Sequence, residues 1–182
     1  RLESGKLELE QQPLDLRKCI EDALDTVAPK AGEKQLDLSY ELHPDVSTRV
    51  RGDVSRLRQI LVNLVGNAVK FTEQGEVAVH VTKDPDDQIH FAVRDTGIGI
   101  PPAKQGKLFN PFCQADASTS RQYGGSGLGL SISRQLVGLM RGKMWLESSP
   151  GQGSTFHFTI PMPDASETAC PTAFRARSPL SG

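Results

Sequence analysis

One segment, RLRQILVNLVGNAVKFT at residues 56–72, constrains the fold most strongly. Read as a helix, with about 100° between residues, it carries an apolar stripe that must be buried against another layer of structure. A second, narrow stripe beside it holds Asn63, Asn67 and Lys70. This polar stripe is either a solvated face or a set of groups suited to a hard cation and phosphates. Asparagine is a mediocre helix former, and an exposed helix face more commonly carries Glu, Lys or Arg. The apolar stripe comprises Leu57, Leu61, Leu64 and Ala68.

The rest of the hydrophobic pattern alternates strands with helices. Asp15 and Asp53 are suitable N-caps for two amphipathic helices, the second running to about Phe71 and followed by a turn at Gly75. A third helix is predicted at 128–140. Period-two alternation predicts strands at 5–10, 34–42, 76–83, 88–95, 143–148 and 154–160. This order predicts one sheet with helices against a single face, an α/β two-layer sandwich, although periodicity alone does not give the strand pairing.

Composition excludes several classes of function. The 182 residues suit one domain, with 37% hydrophobic residues, 24% charged residues and a formal charge of −1. No basic cluster of the kind that binds nucleic acid is indicated, and no apolar run approaches the roughly 18–20 residues that span a bilayer. The cysteines, Cys19, Cys113 and Cys170, are odd in number and far apart, so we expect reduced thiols in a cytoplasmic setting.

The segment VRDTGIGIP at 93–101 delivers a carboxylate, Asp95, at the end of a predicted strand, followed by Gly97 and Gly99. This is either a strand-ending acid with a tight turn, or a buried carboxylate that accepts a hydrogen bond from a ligand N–H. In the second case the glycines let the backbone approach the ligand closely. The exocyclic amine of adenine is such a donor, whereas guanine presents a carbonyl there and would be rejected.

Residues 96–126 lack clean periodicity, and so long a loop in a compact domain usually has a function, often as a lid. It leads into YGGSGLGLSIS at 123–133, where four glycines precede a helix. Such a turn presents backbone N–H groups that suit phosphate, although its spacing is neither that of a Walker loop nor that of a dinucleotide fingerprint. Phe109 and Phe112 in this loop either pack locally or dock the lid onto the domain.

Four motifs, in this order, resemble those of the catalytic and ATP-binding domain of sensor histidine kinases. They are NLVGNAVKF at 63–71, similar to the N box, DTGIGI at 95–100 (G1 box), LFNPF at 108–112 (F box) and GGSGLGLSI at 124–132 (G2 box). The resemblance extends over residues 7–161, and LESGKLELE at 2–10 is most similar to hybrid sensor kinases.

The resemblance implies a Bergerat-type fold, with a mixed sheet, about three helices on one face and a long ATP lid. It implies ATP and Mg²⁺ as cofactors. Asn67 would bind the metal ion, with Asn63 on the same side and Lys70 facing the phosphates. Lys107 stands where members of the family often carry a basic residue that can reach the γ-phosphate. Asn63, Lys70 and Lys107 are therefore the candidate catalytic residues.

The same resemblance implies a nucleotide cradle. Asp95 would take the adenine amine, with Gly97 and Gly99 beneath the ring. The phosphates would contact the backbone of Gly127, Leu128 and Gly129. Further nucleotide contacts are implied at Ile100, Phe109, Gly125, Leu130 and Thr155.

The first position of the N box separates two classes of function. Members of the superfamily that hydrolyse ATP themselves typically carry glutamate there to activate water, whereas this chain has Asn63. A carboxamide cannot act as a general base, so we expect an ATP-dependent protein-histidine kinase that hands the phosphoryl group to a partner. The alternatives are a degenerate nucleotide-binding or docking module without transfer activity, and a self-contained ATPase or chaperone module.

The phosphoacceptor histidine is expected on a separate dimerisation domain of the same parent protein. No histidine of this chain has the acidic neighbour and proline spacing of the acceptor motif; the four are His43, His80, His90 and His157. Residues 1–6 would be the end of the upstream dimerisation helix or a linker, and 7–161 the ATP-binding domain. Residues 162–182 would be a flexible linker or tail, with a response-regulator receiver downstream. We expect this domain alone to be monomeric and its parent a homodimer, with anchoring in the inner membrane left open.

Overall fold

The structure is a computed structural model that describes residues 2–3, 6–7, 12–105 and 129–163. In chain order its elements are β1 (Leu2–Glu3), β2 (Lys6–Leu7), β3 (Gln12–Asp15), α1 (Leu16–Lys34), β4 (Asp37–Leu42), β5 (Arg49–Gly52), α2 (Val54–Lys70), β6 (Glu76–Lys83), β7 (Ile89–Asp95), α3 (Pro102–Gln105), α4 (Gly129–Leu139), β8 (Lys143–Ser149) and β9 (Gly153–Ile160).

The main sheet has five strands in the order β4-β6-β7-β9-β8. β4 runs parallel to β6, and every other neighbouring pair is antiparallel, so the sheet is mixed. β6 and β7 form the predicted hairpin, with Val77 opposite Asp95 and Lys83 opposite Ile89. The parallel pair is possible because the long helix α2 connects β4 and β5 to β6, as parallel neighbours require.

The hydrophobic core lies between one face of this sheet and the helices. The rings of Phe91 on β7 and Phe158 on β9 stack at the centre with centroids 4.6 Å apart, and both are fully buried. Leu57, Leu61 and Leu64 of α2 are also fully buried. Because burying a side chain of this size contributes about 1.5–3 kcal/mol, this layer explains why α2 keeps its apolar stripe towards the sheet. The two-layer α/β sandwich is therefore confirmed.

Both predicted N-caps are confirmed. The Asp15 carboxylate accepts a hydrogen bond from the backbone N–H of Lys18 at 3.3 Å, and Asp53 accepts one from Arg56 at 3.1 Å. Each satisfies a backbone donor that the first turn of its helix would otherwise leave without a partner.

Three details differ from the sequence-based expectation. Within the segment predicted as strand 5–10, the structure describes only Lys6–Leu7, and this short strand pairs with Leu2–Glu3 and not with the main sheet. The helical alternative for residues 1–6 is therefore not seen at 2–3. A separate small sheet pairs β3 with β5, so the single sheet expected from the pattern was wrong. Pro13 interrupts alternation in β3, which explains why the pattern did not reveal it. The tail 164–182 lies outside the described residues.

Candidate nucleotide-binding site

Helix α2 presents its polar stripe beside the buried one, as its period predicts. Asn63, Asn67 and Lys70 are half-buried, whereas their neighbours Leu64 and Ala68 are buried. An exposed amide stripe would favour the solvated-face interpretation. The partial burial of all three polar groups favours a site.

Asn63 is held against the N-terminus of α4. Its amide nitrogen donates to the carbonyl oxygen of Gly129 at 3.3 Å and to the Ser133 hydroxyl at 3.0 Å. Ser133 is fully buried. The first residue of the N-box motif thus fixes the helix that follows the glycine-rich turn, and its amide oxygen remains as an acceptor.

Lys70 ends α2 with its ammonium nitrogen 5.7 Å from the centroid of the Phe71 ring. Its pKa is lowered, first because burial penalises the charged form and second because the Lys30 ammonium repels it. A bound anion would favour the charged ammonium and so offset both effects. The position therefore suits a group that meets phosphate, as the sequence predicts.

Asp95 is the last residue of β7, and its carboxylate is buried, with 5% exposure. Its Oδ1 accepts hydrogen bonds from the backbone N–H of Gly97 at 2.8 Å and of Ser154 at 3.3 Å. Burial raises the pKa of Asp95, and these two hydrogen bonds partly oppose the rise. A carboxylate kept in so dry a place, with one oxygen held by the protein, is suited to recognising a ligand donor.

Thr72, just beyond α2, is a residue that sequence reasoning missed. It is fully buried, and its hydroxyl has no hydrogen-bond partner of ordinary geometry among the described residues. It nevertheless lies close enough to the Asp95 carboxylate to lower the pKa of that group. A buried hydroxyl without a partner is uncommon, which marks the space beside Asp95 as polar.

Gly97 and Gly99 are required by the protein's own packing. A Cβ on Gly97 would lie 2.4 Å from the Phe71 carbonyl oxygen, and one on Gly99 would lie 2.0 Å from that of Ser149. Gly99 also has a φ of +74°, which favours glycine. These contacts explain both glycines without a ligand, so close approach to an adenine ring stays a prediction.

The strand β9 contributes Ser154 rather than Thr155 to the neighbourhood of Asp95. Ser154 is directly opposite Asp95 in the β7–β9 ladder and is buried, whereas Thr155 is opposite the exposed Arg94. Since successive side chains on a strand point to opposite faces, Thr155 lies on the other side of the sheet. A nucleotide contact at Thr155 stays a prediction, and the register adds Ser154 as a candidate beside Asp95.

The C-terminus of α2 is fixed by a distant lysine. The Lys34 ammonium, at the end of α1, donates to the carbonyl oxygens of Val69 and Lys70 at 2.9 Å and of Thr72 at 3.3 Å. It also lies 3.5 Å from the Glu73 carboxylate. This cation satisfies carbonyls that the helix end leaves unpaired. It thereby sets where Lys70 and Thr72 lie.

The remaining predicted site residues divide into two groups. Ile100 is half-buried and donates its backbone N–H to the Ser148 hydroxyl at 2.8 Å, and Leu130 packs against the core from α4. The others lie outside the described residues: Lys107, Phe109, Gly125, Gly127 and Leu128.

Among the described ranges, no group of three or more His, Cys, Asp or Glu side chains could hold a metal ion. In the same part of the chain, no helix is both long and apolar enough to cross a membrane.

A mixed sheet with helices on one face, a buried carboxylate at a strand end and an amide-bearing helix beside it form the arrangement that the sequence analysis expects of an ATP-binding domain. The chain belongs to the histidine kinase-, DNA gyrase B- and HSP90-like ATPase family, whose model matches residues 52–164.

Its relatives narrow the class to sensor histidine kinases. It is 46% identical over 164 residues to the signal transduction histidine-protein kinase BarA of Escherichia coli (strain K12), covering 88% of this chain and 18% of that protein. It is 44% identical over 185 residues to the hybrid signal transduction protein dokA of Dictyostelium discoideum, covering 97% and 11%. The chain thus spans less than a fifth of either relative. The resemblance to hybrid sensor kinases of two-component signalling is confirmed.

Solved structures of histidine kinases share the fold of this chain. The catalytic domain of the histidine kinase ThkA, in a nucleotide-free form, has a TM-score of 0.70 at 30% identity, covering 84% of this chain and 95% of that one. Full-length ShkA in complex with AMPPNP has a TM-score of 0.78 at 34% identity, covering 87% and 32%. ThkA has also been solved in complex with the response regulator protein TrrA, with a TM-score of 0.67 at 28% identity, covering 84% and 42%. The Bergerat-type fold is confirmed.

Proposed function

We propose that this domain binds Mg-ATP and transfers the γ-phosphoryl group to a histidine on a separate phosphoacceptor domain. The observation that carries the proposal is the buried Asp95 carboxylate, held by two backbone amides beside the end of α2. That helix bears the amides and the amine that would meet the phosphates.

The adenine end of the site would be read by Asp95. Because Oδ1 already accepts two N–H groups of the protein, Oδ2 is the oxygen that would accept the adenine amine. Guanine offers a carbonyl at that position, and two acceptors would then face each other without a proton. Thr72 and Ser154 supply the polar surroundings in which such a contact is specific.

The phosphate end would be formed by α2 and the glycine-rich turn. Mg²⁺ in nucleotide sites is usually held by one or two protein oxygens together with phosphates and waters, so the half-buried amide of Asn67 fits it. When bound, the ion would neutralise phosphate charge. Lys70 and the backbone of Gly127, Leu128 and Gly129 would stabilise the same charge, with Lys107 as a further basic group.

Transfer rather than hydrolysis follows from Asn63. Its amide nitrogen donates to Gly129 and Ser133, and a carboxamide has no basicity with which to activate water. The nucleophile would then be a histidine brought by docking, which aligns it with the γ-phosphorus. We propose that it belongs to the dimerisation domain of the same homodimeric parent, that a response-regulator receiver accepts the phosphoryl group next, and that the domain works in the cytoplasm.

Calorimetric titration tests the binding half. Wild-type protein is expected to bind Mg-ATP and to bind Mg-GTP much more weakly. Asp95→Asn should weaken ATP binding by about 10–100-fold, since a hydrogen bond to a charged group contributes about 1.5–3 kcal/mol. Lys18→Met, an exposed position on α1, is the control. Equal affinity of wild type and Asp95→Asn would refute the adenine assignment.

A trans-phosphorylation assay tests the transfer half, with the histidine hairpin of the parent as acceptor. Wild-type protein is expected to label the hairpin, and Asn67→Ala to lose both labelling and magnesium-dependent ATP affinity. Nucleotide binding without labelling would indicate the degenerate module. Rapid ATP hydrolysis without the hairpin would indicate a self-contained ATPase.

A further inference from the structure

The hydroxyl group of Ser148, on β8, lies where three segments of the chain meet. It accepts a hydrogen bond from the backbone N–H of Ile100 at 2.8 Å and donates one to the carbonyl oxygen of Gly153 at 3.0 Å. The Ser154 hydroxyl on β9 lies 2.8 Å from it. None of the four motifs contains Ser148, yet it stands opposite Ser154 in the β8–β9 ladder, and Ser154 stands opposite Asp95 in the β7–β9 ladder.

These contacts use the whole hydrogen-bonding capacity of the Ser148 side chain. A serine hydroxyl has one proton to donate and two lone pairs with which to accept. Because its proton goes to the Gly153 carbonyl, the hydroxyl of Ser154 must be the donor of the bond between the two serines. The Ile100 N–H occupies the second lone pair. Loss of the Ser148 hydroxyl would therefore leave three polar groups without this partner.

The Gly153 carbonyl shares one peptide bond with the Ser154 N–H, which is a donor to Asp95. In a planar trans peptide, the C=O and the N–H point in opposite directions. The Ser148 hydroxyl is bound to the oxygen on one side of this peptide, and Oδ1 of Asp95 lies 3.3 Å from the nitrogen on the other side. Ser148 thereby sets the orientation in which this N–H reaches the carboxylate.

The backbone of Ser148 also takes part in the contact with α3. The side-chain amide of Gln105 donates to the Ile100 carbonyl oxygen at 2.8 Å and to the Ser148 carbonyl oxygen at 3.1 Å. Both Ile100 and Gln105 are half-buried. The side chain and the backbone of Ser148 thus hold the segment that follows Asp95 and its two glycines.

We propose that Ser148 is a positioning residue for adenine recognition, which acts on Asp95 through the Gly153–Ser154 peptide. The inference rests on the proposed binding of ATP, in which Oδ2 of Asp95 accepts the adenine amine. With the peptide held by Ser148, Oδ1 is engaged by N–H groups of the protein, and the carboxylate is fixed with Oδ2 free for the ligand. Binding then loses little free energy in ordering the carboxylate.

The test is a double-mutant cycle in ATP affinity, measured by calorimetry with Mg-ATP. Ser148→Ala should weaken binding by about tenfold, which is about 1.4 kcal/mol. If Ser148 acts through Asp95, adding Ser148→Ala to Asp95→Asn should change the affinity by less than about twofold. A serine that only supports packing would instead reduce the affinity by the same factor in both backgrounds.

Two further variants separate the hydroxyl from the volume of the side chain. Ser148→Thr keeps the hydroxyl and should bind Mg-ATP within about twofold of wild type. Ser149→Ala is the matched control, because the exposed Ser149 follows on the same strand and its side chain points to the opposite face of the sheet. It should bind Mg-ATP as wild type does.

Hydrogen exchange without nucleotide verifies the contact itself. The Ile100 amide should exchange faster in Ser148→Ala than in wild type, and Ser149→Ala should leave its rate unchanged. Thermal unfolding verifies that each variant is folded. If Ser148→Ala does not fold, Ser148→Cys takes its place in the cycle, because a thiol is only a weak donor and acceptor.

The outcomes distinguish this inference from the proposed function. Equal losses of affinity in the wild-type and Asp95→Asn backgrounds, or a loss in Ser148→Thr as large as that in Ser148→Ala, would overturn the positioning role. Binding that depends on Asp95 but not on Ser148 would overturn this inference alone. Failure of the proposed function would appear in the parent proteins of the cycle, as no binding of Mg-ATP by wild type or as equal binding by Asp95→Asn.

Discussion

The side-chain amide of Asn63 on α2 donates a hydrogen bond to the Ser133 hydroxyl on α4 across 3.0 Å. Ser133 is fully buried, and the same amide reaches the Gly129 carbonyl at the start of α4. A residue expected to act near the phosphates therefore also ties the helix after the glycine-rich turn to the body of the domain.

This tie predicts an energetic coupling. Asn63→Ala and Ser133→Ala should each lower the free energy of unfolding by about 1 kcal/mol, since each leaves a polar group without its partner. The double variant should lose less than the sum, with a coupling of about 0.5–1.5 kcal/mol measured by urea unfolding. Additive losses would contradict a direct interaction.

Substitution of Thr72 should change ATP affinity more than it changes the free energy of unfolding. Replacing it with valine keeps the packed volume and removes a hydroxyl that lowers the pKa of Asp95 without a hydrogen bond of ordinary geometry, so Thr72→Val should lower the free energy of unfolding at pH 7 by less than about 1 kcal/mol. If the hydroxyl serves Asp95 and the nucleotide, the same variant should bind ATP about tenfold more weakly, a loss of about 1.4 kcal/mol.

Thr72→Ser is the matched control for that experiment, because it keeps the hydroxyl and should retain ATP affinity in calorimetry. A Thr72→Val protein that is clearly less stable, yet binds ATP as wild type does, would show that the side chain has only a packing role.

Asp95 predicts a pH-dependent effect on stability. Burial raises its pKa in the folded protein above the ordinary value of 3.8. A carboxyl group whose pKa is raised by folding favours the folded state below its unfolded pKa. That contribution is lost as the pH rises through the folded pKa. Ionised Asp95 therefore destabilises the nucleotide-free domain at neutral pH.

Asp95→Asn keeps an acceptor oxygen for Gly97 and Ser154 and removes the charge. Its free energy of unfolding at pH 7 should exceed that of wild type, with the advantage shrinking as the pH falls towards 3.8. Urea unfolding between pH 4 and pH 7.5 measures this difference. An advantage that grows as the pH falls would contradict the sign of the shift.

The sequence patterns predicted those features of the fold that depend on local periodicity or on neighbouring residues. The stripe of α2 and the caps at Asp15 and Asp53 follow from residues within one helix, and the β6–β7 hairpin follows from two adjacent alternating runs. The motif order then identified Asn67 and Asp95 as site candidates.

What the pattern could not give depends on residues distant in sequence. Lys34 reaches α2 from 35 residues away, and Thr72 matters only because β7 ends beside it. Ser154 and Thr155 look alike in sequence, and only the strand register shows which one faces Asp95. The glycines illustrate the same limit, because a ligand and a neighbouring carbonyl exclude a Cβ equally well.

Alanine at two glycines should have opposite effects on stability. Gly97→Ala would place a Cβ 2.4 Å from the Phe71 carbonyl, whereas a Cβ on Gly32 in α1 meets nothing within 4 Å. Gly97→Ala should lower the free energy of unfolding by about 1–3 kcal/mol, and Gly32→Ala should raise it by about 0.5–1 kcal/mol. Thermal unfolding without nucleotide measures both. A Gly97→Ala protein as stable as wild type would contradict a packing requirement for this glycine.

From its contacts, we predict that the Lys34 ammonium, which lies outside the four motifs, holds the nucleotide site in place. Lys34→Met keeps most of the side-chain volume but removes the donor to three carbonyls at the end of α2. Since its side chain is only 26% exposed, water replaces that donor poorly, and the free energy of unfolding should fall by about 2 kcal/mol. Lys18→Met is the matched control on the same helix, because Lys18 is 75% exposed and its ammonium lies 4.0 Å from the Asp22 carboxylate, the limit of an ion pair. It should lose less than about 0.5 kcal/mol.

ATP affinity should fall in Lys34→Met alone, because the freed helix end no longer positions Lys70 and Thr72. Equal stability losses in the two variants would contradict this role for Lys34.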